Sequence, residues 1–320
     1  MIIKEREIPI KIPILQALVR RINPKHPKLK MIEEELAKRV SGYKGEVSLD
    51  YYFSFLDEDE YYIFHSLRLP YKNYFFQMDS LIICRYFILI IEVKNLSGVI
   101  TLDPRFQQLV RTYNGKEAVL PDPVQQVKLQ QYQLQSILKT ITFPQVPIES
   151  IVVFTHQEAN LKTNTDYPLY FDKVVRSTKL LDKIEQYTFI NKDVRLTKSD
   201  INSLSNYLLQ HHSPENFDAL SFFNITESEL SPGVHCPKCY TLAMERKWGK
   251  WVCGKCSFAS KDAYIQSIDD YQLLLRPTIN NQQLRNFLGI TSPILANKIL
   301  TSMNLPFSGN TKDREYFLTF

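Results

Sequence analysis

Apolar residues run without a break through Phe87-Ile88-Leu89-Ile90-Ile91 and then give way to Glu92-Val93-Lys94. A run of this kind reads as a central strand buried on both faces, with its charged end opening into a site. Side chains alternate along a strand, so Glu92 and Lys94 share a face. Together with the apolar segment before it, the run predicts a β-hairpin over residues 75–93. Residues 61–69, aromatic and apolar, predict a neighbouring strand stopped by Pro70. Shorter strands are expected at 98–102 and 109–113, with a tight turn at Asn114-Gly115, and another buried strand at 151–154.

Helical spacing appears at 32–40, is broken at Gly42-Tyr43-Lys44-Gly45, and resumes over 47–56. A strong helix is expected over 124–138, with Asp122 as its N-cap and Pro123 at its first position. Further helices are expected over 180–187, 200–211, 281–288 and 292–303. These elements predict an α/β core over 41–210, a mixed sheet flanked by helices. Before it lies a basic N-terminal arm (1–40). After it come a linker (211–233), a small cysteine unit (234–260) and a helical C-terminal unit (261–320).

The hydrophobic fraction of 44% suffices for a sizeable core. The first thirteen residues mix charge with apolar side chains and read as no signal peptide. The longest apolar run, around 81–91, contains Arg85 and is too short to span a bilayer. No membrane partner is expected, and the protein is read as cytoplasmic. Charge is uneven: residues 1–45 hold eleven basic and five acidic residues, and residues 232–320 hold eleven and six, around an acidic middle. That pattern suits a metal-dependent core with attachments that grip a polyanion, and suits solvated surface charge equally well.

Asp79 lies thirteen residues before Glu92, so the hairpin carries two carboxylates and a lysine. Hard oxygen ligands of this kind suit Mg²⁺ or Mn²⁺, and Lys94 suits charge stabilisation. The order Gly42-x-x-Gly45-Glu46, Gln77-x-Asp79, Glu92-x-Lys94 with Asn95 and Gly98, then Pro123-x-x-Gln126 resembles the NERD (nuclease-related) domain, a family related to the PD-(D/E)xK nucleases. The resemblance covers roughly residues 41–150 and implies a restriction-endonuclease-like mixed sheet. It also implies catalytic roles for Glu46, Asp79, Glu92, Lys94 and Gln126, with Asp79 and Glu92 as the Mg or Mn ligands. The other glutamines of that helix are expected to be mostly solvated. One departure is the hairpin turn, where Arg85-Tyr86-Phe87 replaces the family's usual glycine.

Four of the five cysteines form Cys236-Pro237-Lys238-Cys239 and Cys253-Gly254-Lys255-Cys256, thirteen residues apart. This spacing predicts a four-cysteine zinc ribbon with a structural Zn site. The fifth, Cys84, reads as a small buried hydrophobe. Arg246, Lys247, Lys250 and Lys255, interleaved with Trp248 and Trp251, either contact phosphates and stack on bases or pack against a neighbour. The C-terminal unit resembles a winged helix with a wing hairpin over 307–318. Arg285, Asn297, Lys298, Lys312 and Arg314 would then touch DNA, and a helical packing or dimerisation domain is the alternative.

The reading is a metal-dependent nuclease acting on DNA, with a zinc ribbon and a winged-helix-like tail as DNA-binding attachments. Nucleic acid is the partner, and a homodimer is one option for assembly. The rival readings are a non-catalytic DNA-binding protein and an interaction scaffold built on a nuclease-like fold.

Overall fold

The strands before residue 180 pair into a six-stranded sheet and a smaller four-stranded one. The structure, a computed structural model, describes residues 1–163, 167–310 and 313–318. In chain order β1 (Ile2–Lys4) precedes helices α1 (Lys11–Arg21), α2 (Leu29–Val47) and α3 (Asp50–Phe53). Then follow β2 (Tyr62–Tyr71), β3 (Tyr74–Ile83), β4 (Ile88–Lys94), β5 (Gly98–Asp103), β6 (Gln108–Tyr113) and β7 (Lys116–Pro121). Helix α4 (Pro123–Thr140) leads to β8 (Ile148–Phe154), β9 (Ala159–Thr163) and β10 (Val174–Arg176). The chain divides into two compact units, Met1–Ile8 with Val40–Glu215 and Pro9–Arg39 with Asn216–Phe320. The first forty residues, expected as one arm, are thus shared between both units. Both are mixtures of helix and sheet, so the α/β class holds.

In the first unit the main sheet runs β1-β2-β3-β4-β8-β10. Strands β2, β3 and β4 are antiparallel neighbours, while β4 pairs in parallel with β8. A parallel pair needs a crossover, and α4 lies within it. Alternation sorts β4 between two cores. Leu89, Ile91 and Val93 join Phe53, Ile151, Val153 and Ile184, whereas Ile88 and Ile90 meet Leu134 and Leu138 of α4. Glu92 and Lys94 continue that second face. A second sheet, β7-β6-β5-β9, branches off after β4. Asn114 and Gly115, at φ 50° and 71°, close the β6–β7 hairpin, whose second strand the pattern of residues had not foretold.

Two expectations are corrected. Helix α2 runs straight through Gly42 and Gly45 to Val47, and only a short turn of helix, α3, follows it. Gly45 is present for closeness rather than for breaking: a Cβ there would lie 2.4 Å from Asn95 Cβ and 2.9 Å from Thr155 Oγ1. Asn95 Nδ2 in turn donates to the Ser41 carbonyl at 2.8 Å, so the end of β4 is fastened to this face of α2. Strand β2 continues past Pro70 to Tyr71, because proline is tolerated where its missing N–H faces no partner strand. The hairpin turn closes without glycine, through the Cys84 N–H to the Phe87 carbonyl at 3.1 Å. Cys84 is 2% exposed, as a small buried hydrophobe should be.

The second unit gathers α1, a three-stranded sheet (Met244–Lys247, Lys250–Cys253, Ala259–Ser260) and helices Ile265–Leu274, Asn281–Leu288 and Pro293–Ser302. Leu15, Leu18, Trp251, Ile268, Leu284 and Leu300 share its core. Asn280 caps the second helix and Ser292 the third, with Gly289 at φ 67° ending the second. A small sheet of Thr278–Ile279, Glu315–Phe317 and Phe307–Ser308 completes it. The expected helix pair and terminal hairpin are therefore present as elements.

The two helical glycines should respond oppositely to alanine. A Cβ added at Gly42 would meet nothing within 4 Å, so Gly42→Ala should stabilise by about 0.5–1 kcal/mol through helix propensity. Gly45→Ala forces α2 off the strand end and should cost about 1–3 kcal/mol. Urea denaturation of both variants checks this.

Candidate active site

Backbone pairing between β3 and β4 ends at Ser80↔Ile91. One residue further the Asp79 side chain replaces the missing strand partner, its Oδ2 accepting the Val93 N–H at 2.8 Å. Opposite in the β2 register sits Ser66, at φ 49°, a strained position for a residue with a side chain. The strands thus part at the point where the apolar run turns charged.

Glu92 is 4% exposed and both its oxygens are engaged. Oε1 takes Lys94 Nζ at 2.7 Å and Oε2 takes Gln130 Nε2 at 3.0 Å. Lys94 Nζ also donates to Gln126 Oε1 at 3.1 Å. Gln130 donates a second bond to the Gln77 carbonyl at 2.9 Å. Residues four apart on a helix lie on one face, so α4 presents both glutamines to the site. The α4 stripe is aligned by its cap, the Asp122 carboxylate accepting the Val124 N–H at 2.8 Å.

Gln126 faces the site as expected, but Gln130 was missed and is not solvated: it is 4% exposed. Its signal was its place on the buried stripe of Val127, Leu134 and Leu138. A second residue was also missed. Arg6, just beyond β1, donates from Nη1 to Glu46 Oε2 at 3.0 Å and from Nη2 to Asp50 Oδ1 at 2.9 Å. Glu46 thus stands on the last turn of α2, held by Arg6 and, at 3.4 Å, by the Ser66 hydroxyl.

Burial, then the charges of Glu92 and Glu46, pushes the Asp79 carboxyl well above its ordinary range, only partly offset by the Val93 N–H and Lys94. Glu46 is raised too, by burial first, with Arg6 pulling the other way and Glu92 adding to the rise. The three carboxylates therefore repel one another across a shared space. Asp79 Oδ1 and Glu46 Oε1 accept no hydrogen bond among the described residues. Two open hard-oxygen donors in an over-negative site fit a divalent cation. The trio is looser than the cysteine group, which among the described residues alone brings three or more ligand atoms within 4.8 Å of one another.

In that cysteine group Cys236 Sγ lies 3.6 Å from Cys256 Sγ, and Cys239 Sγ 3.6 Å from Cys253 Sγ. These are far beyond a disulfide bond of about 2.05 Å and close to the edge of about 3.8 Å that a tetrahedron of sulfurs has at 2.3 Å from a metal. The Thr241 hydroxyl and N–H bring the Cys239 thiol down to about 6. The cluster is compatible with a zinc ribbon.

The candidate nucleic-acid residues divide. Trp248, at the hairpin tip, is 98% exposed, whereas Trp251 is 1% exposed. Trp251 packs in the core with Ile268 and Cys253, so its ring is not available for stacking, a correction that follows from strand alternation. Lys250, Lys255 and Lys298 are exposed, and Lys247 pairs with Glu245 at 2.8 Å. Arg246 lies over the Trp251 ring and Arg314 over the Phe307 ring. Arg285 bonds along its own helix to Asn281 and Gln282. Asn297 accepts from Asn281. Lys312 lies outside the described residues.

Residues 41–155 match the family model of the nuclease-related domain, NERD. The match spans α2's last turns through β8 and so contains Glu46, Asp79, Glu92, Lys94 and both site glutamines. No curated protein and no solved structure matches the chain. Among the described residues no helix is long and apolar enough to cross a membrane.

Because the Asp79 pKa is raised in the fold, the folded state holds a proton that the unfolded chain releases earlier. Metal-free stability should therefore fall as pH rises from the ordinary carboxylate value toward the raised one. A cation competes with that proton, so Mn²⁺ affinity should climb over the same interval, and Asp79→Asn should flatten both dependences. Denaturation and Mn²⁺ titrations from the ordinary carboxylate range upward in pH test this.

Proposed function

We propose that the first unit is a metal-dependent nuclease that hydrolyses phosphodiester bonds of DNA, on a restriction-endonuclease-like sheet. The observation that carries this reading is the parting of β3 and β4 at Asp79, with Glu92 and Lys94 fixed beside it by two glutamines of α4. The NERD match over the same residues supports it.

Asp79, Glu92 and Glu46 would hold Mg²⁺ or Mn²⁺, which supplies an activated water and neutralises phosphate charge. Lys94 is kept in place by Glu92 and Gln126, within reach of oxygens where negative charge develops in the transition state. Gln130 holds Glu92 from the other side, so that this carboxylate does not swing when its lysine meets a phosphate. The four cysteines would bind structural zinc, since a closed set of four soft thiolates leaves no open position for catalysis. Trp248, with Lys250 and Lys255 near it in sequence, is the DNA contact of that ribbon, and Lys298 that of the winged-helix-like tail.

The Lys94–Glu92 ion pair at 2.7 Å gives the second reading its footing, since such a pair stabilises a fold that only binds DNA. Cleavage of labelled single- and double-stranded DNA with Mn²⁺ separates the two. Asp79→Ala and Glu92→Ala should abolish cleavage, and Lys94→Ala should lower it by about 100- to 1000-fold. An inert parent, or cleavage that survives both carboxylate changes, leaves DNA binding as the better reading.

The tryptophans should separate as well. Trp248→Ala should weaken single-stranded DNA binding by about 1–3 kcal/mol without loss of stability. Trp251→Ala should instead destabilise the second unit by about 3–5 kcal/mol. Fluorescence anisotropy and thermal melts give the two readouts.

A further inference from the structure

We propose that Arg6 is a positioning residue of the metal site, holding Glu46 by one oxygen so that the other stays open to the cation. The inference rests on the reading of Glu46, Asp79 and Glu92 as metal-holding residues. It extends the site beyond the family-matched residues to the extreme N-terminal segment.

Strand β1 adds to the sheet edge in parallel with β2, with Ile2 against Ile63 and Lys4 against Phe64. The chain thereby delivers Arg6 two residues later to a pocket between three elements. Its side chain is 5% exposed. The guanidinium meets Glu46 on α2 at 3.0 Å, Asp50 on α3 at 2.9 Å and His65 Nδ1 on β2 at 2.8 Å. A planar fork spreads its donors over several nitrogens and so reaches partners on three elements at once, whereas an ammonium directs all of its donors from one atom.

His65 is 1% exposed and its pKa is lowered to about 4, by burial first and then by Arg6. The ring is thus neutral, and its Nδ1 accepts the guanidinium proton rather than repelling it. Glu46 is left with Oε2 occupied by Arg6 and Ser66 and with Oε1 free of any protein donor among the described residues. A carboxylate fixed in this way meets a cation without first having to be ordered. Arg6 also offsets the repulsion that Glu92 and Asp79 exert on Glu46 before a cation arrives.

The test uses the full chain, with Mn²⁺ affinity read by calorimetry and EPR and the fold checked by circular dichroism. Asp79→Ala marks which binding belongs to this site. Arg6→Met should weaken the Asp79-dependent binding by about 10- to 100-fold. Arg6→Lys should recover part of it, because charge returns without the fork. In a Glu46→Gln background the same Arg6 changes should have no further effect, since the role runs through that carboxylate. Should Arg6→Met fail to fold, the cycle with Arg6→Lys carries the same contrast. Unchanged affinity, tighter binding, or an equal loss in the Glu46→Gln background would overturn the proposal. Tighter binding would mark Arg6 as a competitor of the cation. A parent with no Asp79-dependent Mn²⁺ binding would instead bring down the metal reading itself, and the role of Arg6 with it.

Discussion

A carboxylate buried at the end of a central strand is the constraint around which the first unit is arranged. Glu92 is 4% exposed, and an ionised group taken out of water must be paired and hydrogen-bonded on the protein. Lys94 reaches it from the same face of the strand, and Gln130 reaches it from α4. Those two bonds dictate where α4 lies. Its Asp122 cap, its apolar stripe of Val127, Leu134 and Leu138, and its two polar positions one turn apart all agree on one orientation. Helix α2 is fastened by the same strand end, through Asn95 and the space left at Gly45. Gly45 and Asn95 are thus docking residues that bring Glu46 beside the strand.

The strands and helices were legible in the sequence wherever one periodicity dominated. The run into Glu92, the hairpin, and the Asp122-capped helix all stand where alternation and capping put them. Legibility failed where a residue's local meaning was overruled by a distant partner. Gly42 and Gly45 read as a break because helix interiors disfavour glycine, but the need for close approach to Asn95 lies fifty residues away in sequence. Gln130 was hidden among other glutamines, and its burial becomes visible only when it is counted on the apolar stripe rather than by its chemistry. Arg6 had no local signal at all, since its partners sit at positions 46, 50 and 65.

The second unit teaches the same lesson from the other side. Its cysteines were readable because metal ligation imposes spacing on the chain itself, and the four sulfurs do converge. The two tryptophans looked equivalent in a basic stretch. They lie three residues apart across a tight turn at Trp248-Gly249, which sends one ring to solvent and the other into the core. Composition named the surface correctly for Trp248 alone, and register decided which residue was which.

Charge argues that the first unit's cluster is more than a set of ion pairs. Carboxylates that crowd one another need compensating charge more than a lone helix cap such as Asp122 does. Glu92 has Lys94, and Glu46 shares Arg6 with Asp50. Asp79 has no ion-pair partner among the described residues, only a peptide N–H, while its two neighbours raise its pKa. The site therefore carries negative charge that its own side chains do not balance. A proton held by the raised Asp79 balances it in part. On the proposed reading a divalent cation would balance it instead, serving several carboxylates at once through the lone pairs left open on Asp79 and Glu46. A fold kept only for stability would gain from replacing Asp79 with an uncharged residue that takes the same N–H. Its place at the parting of the strands suits the proposed cation-binding role.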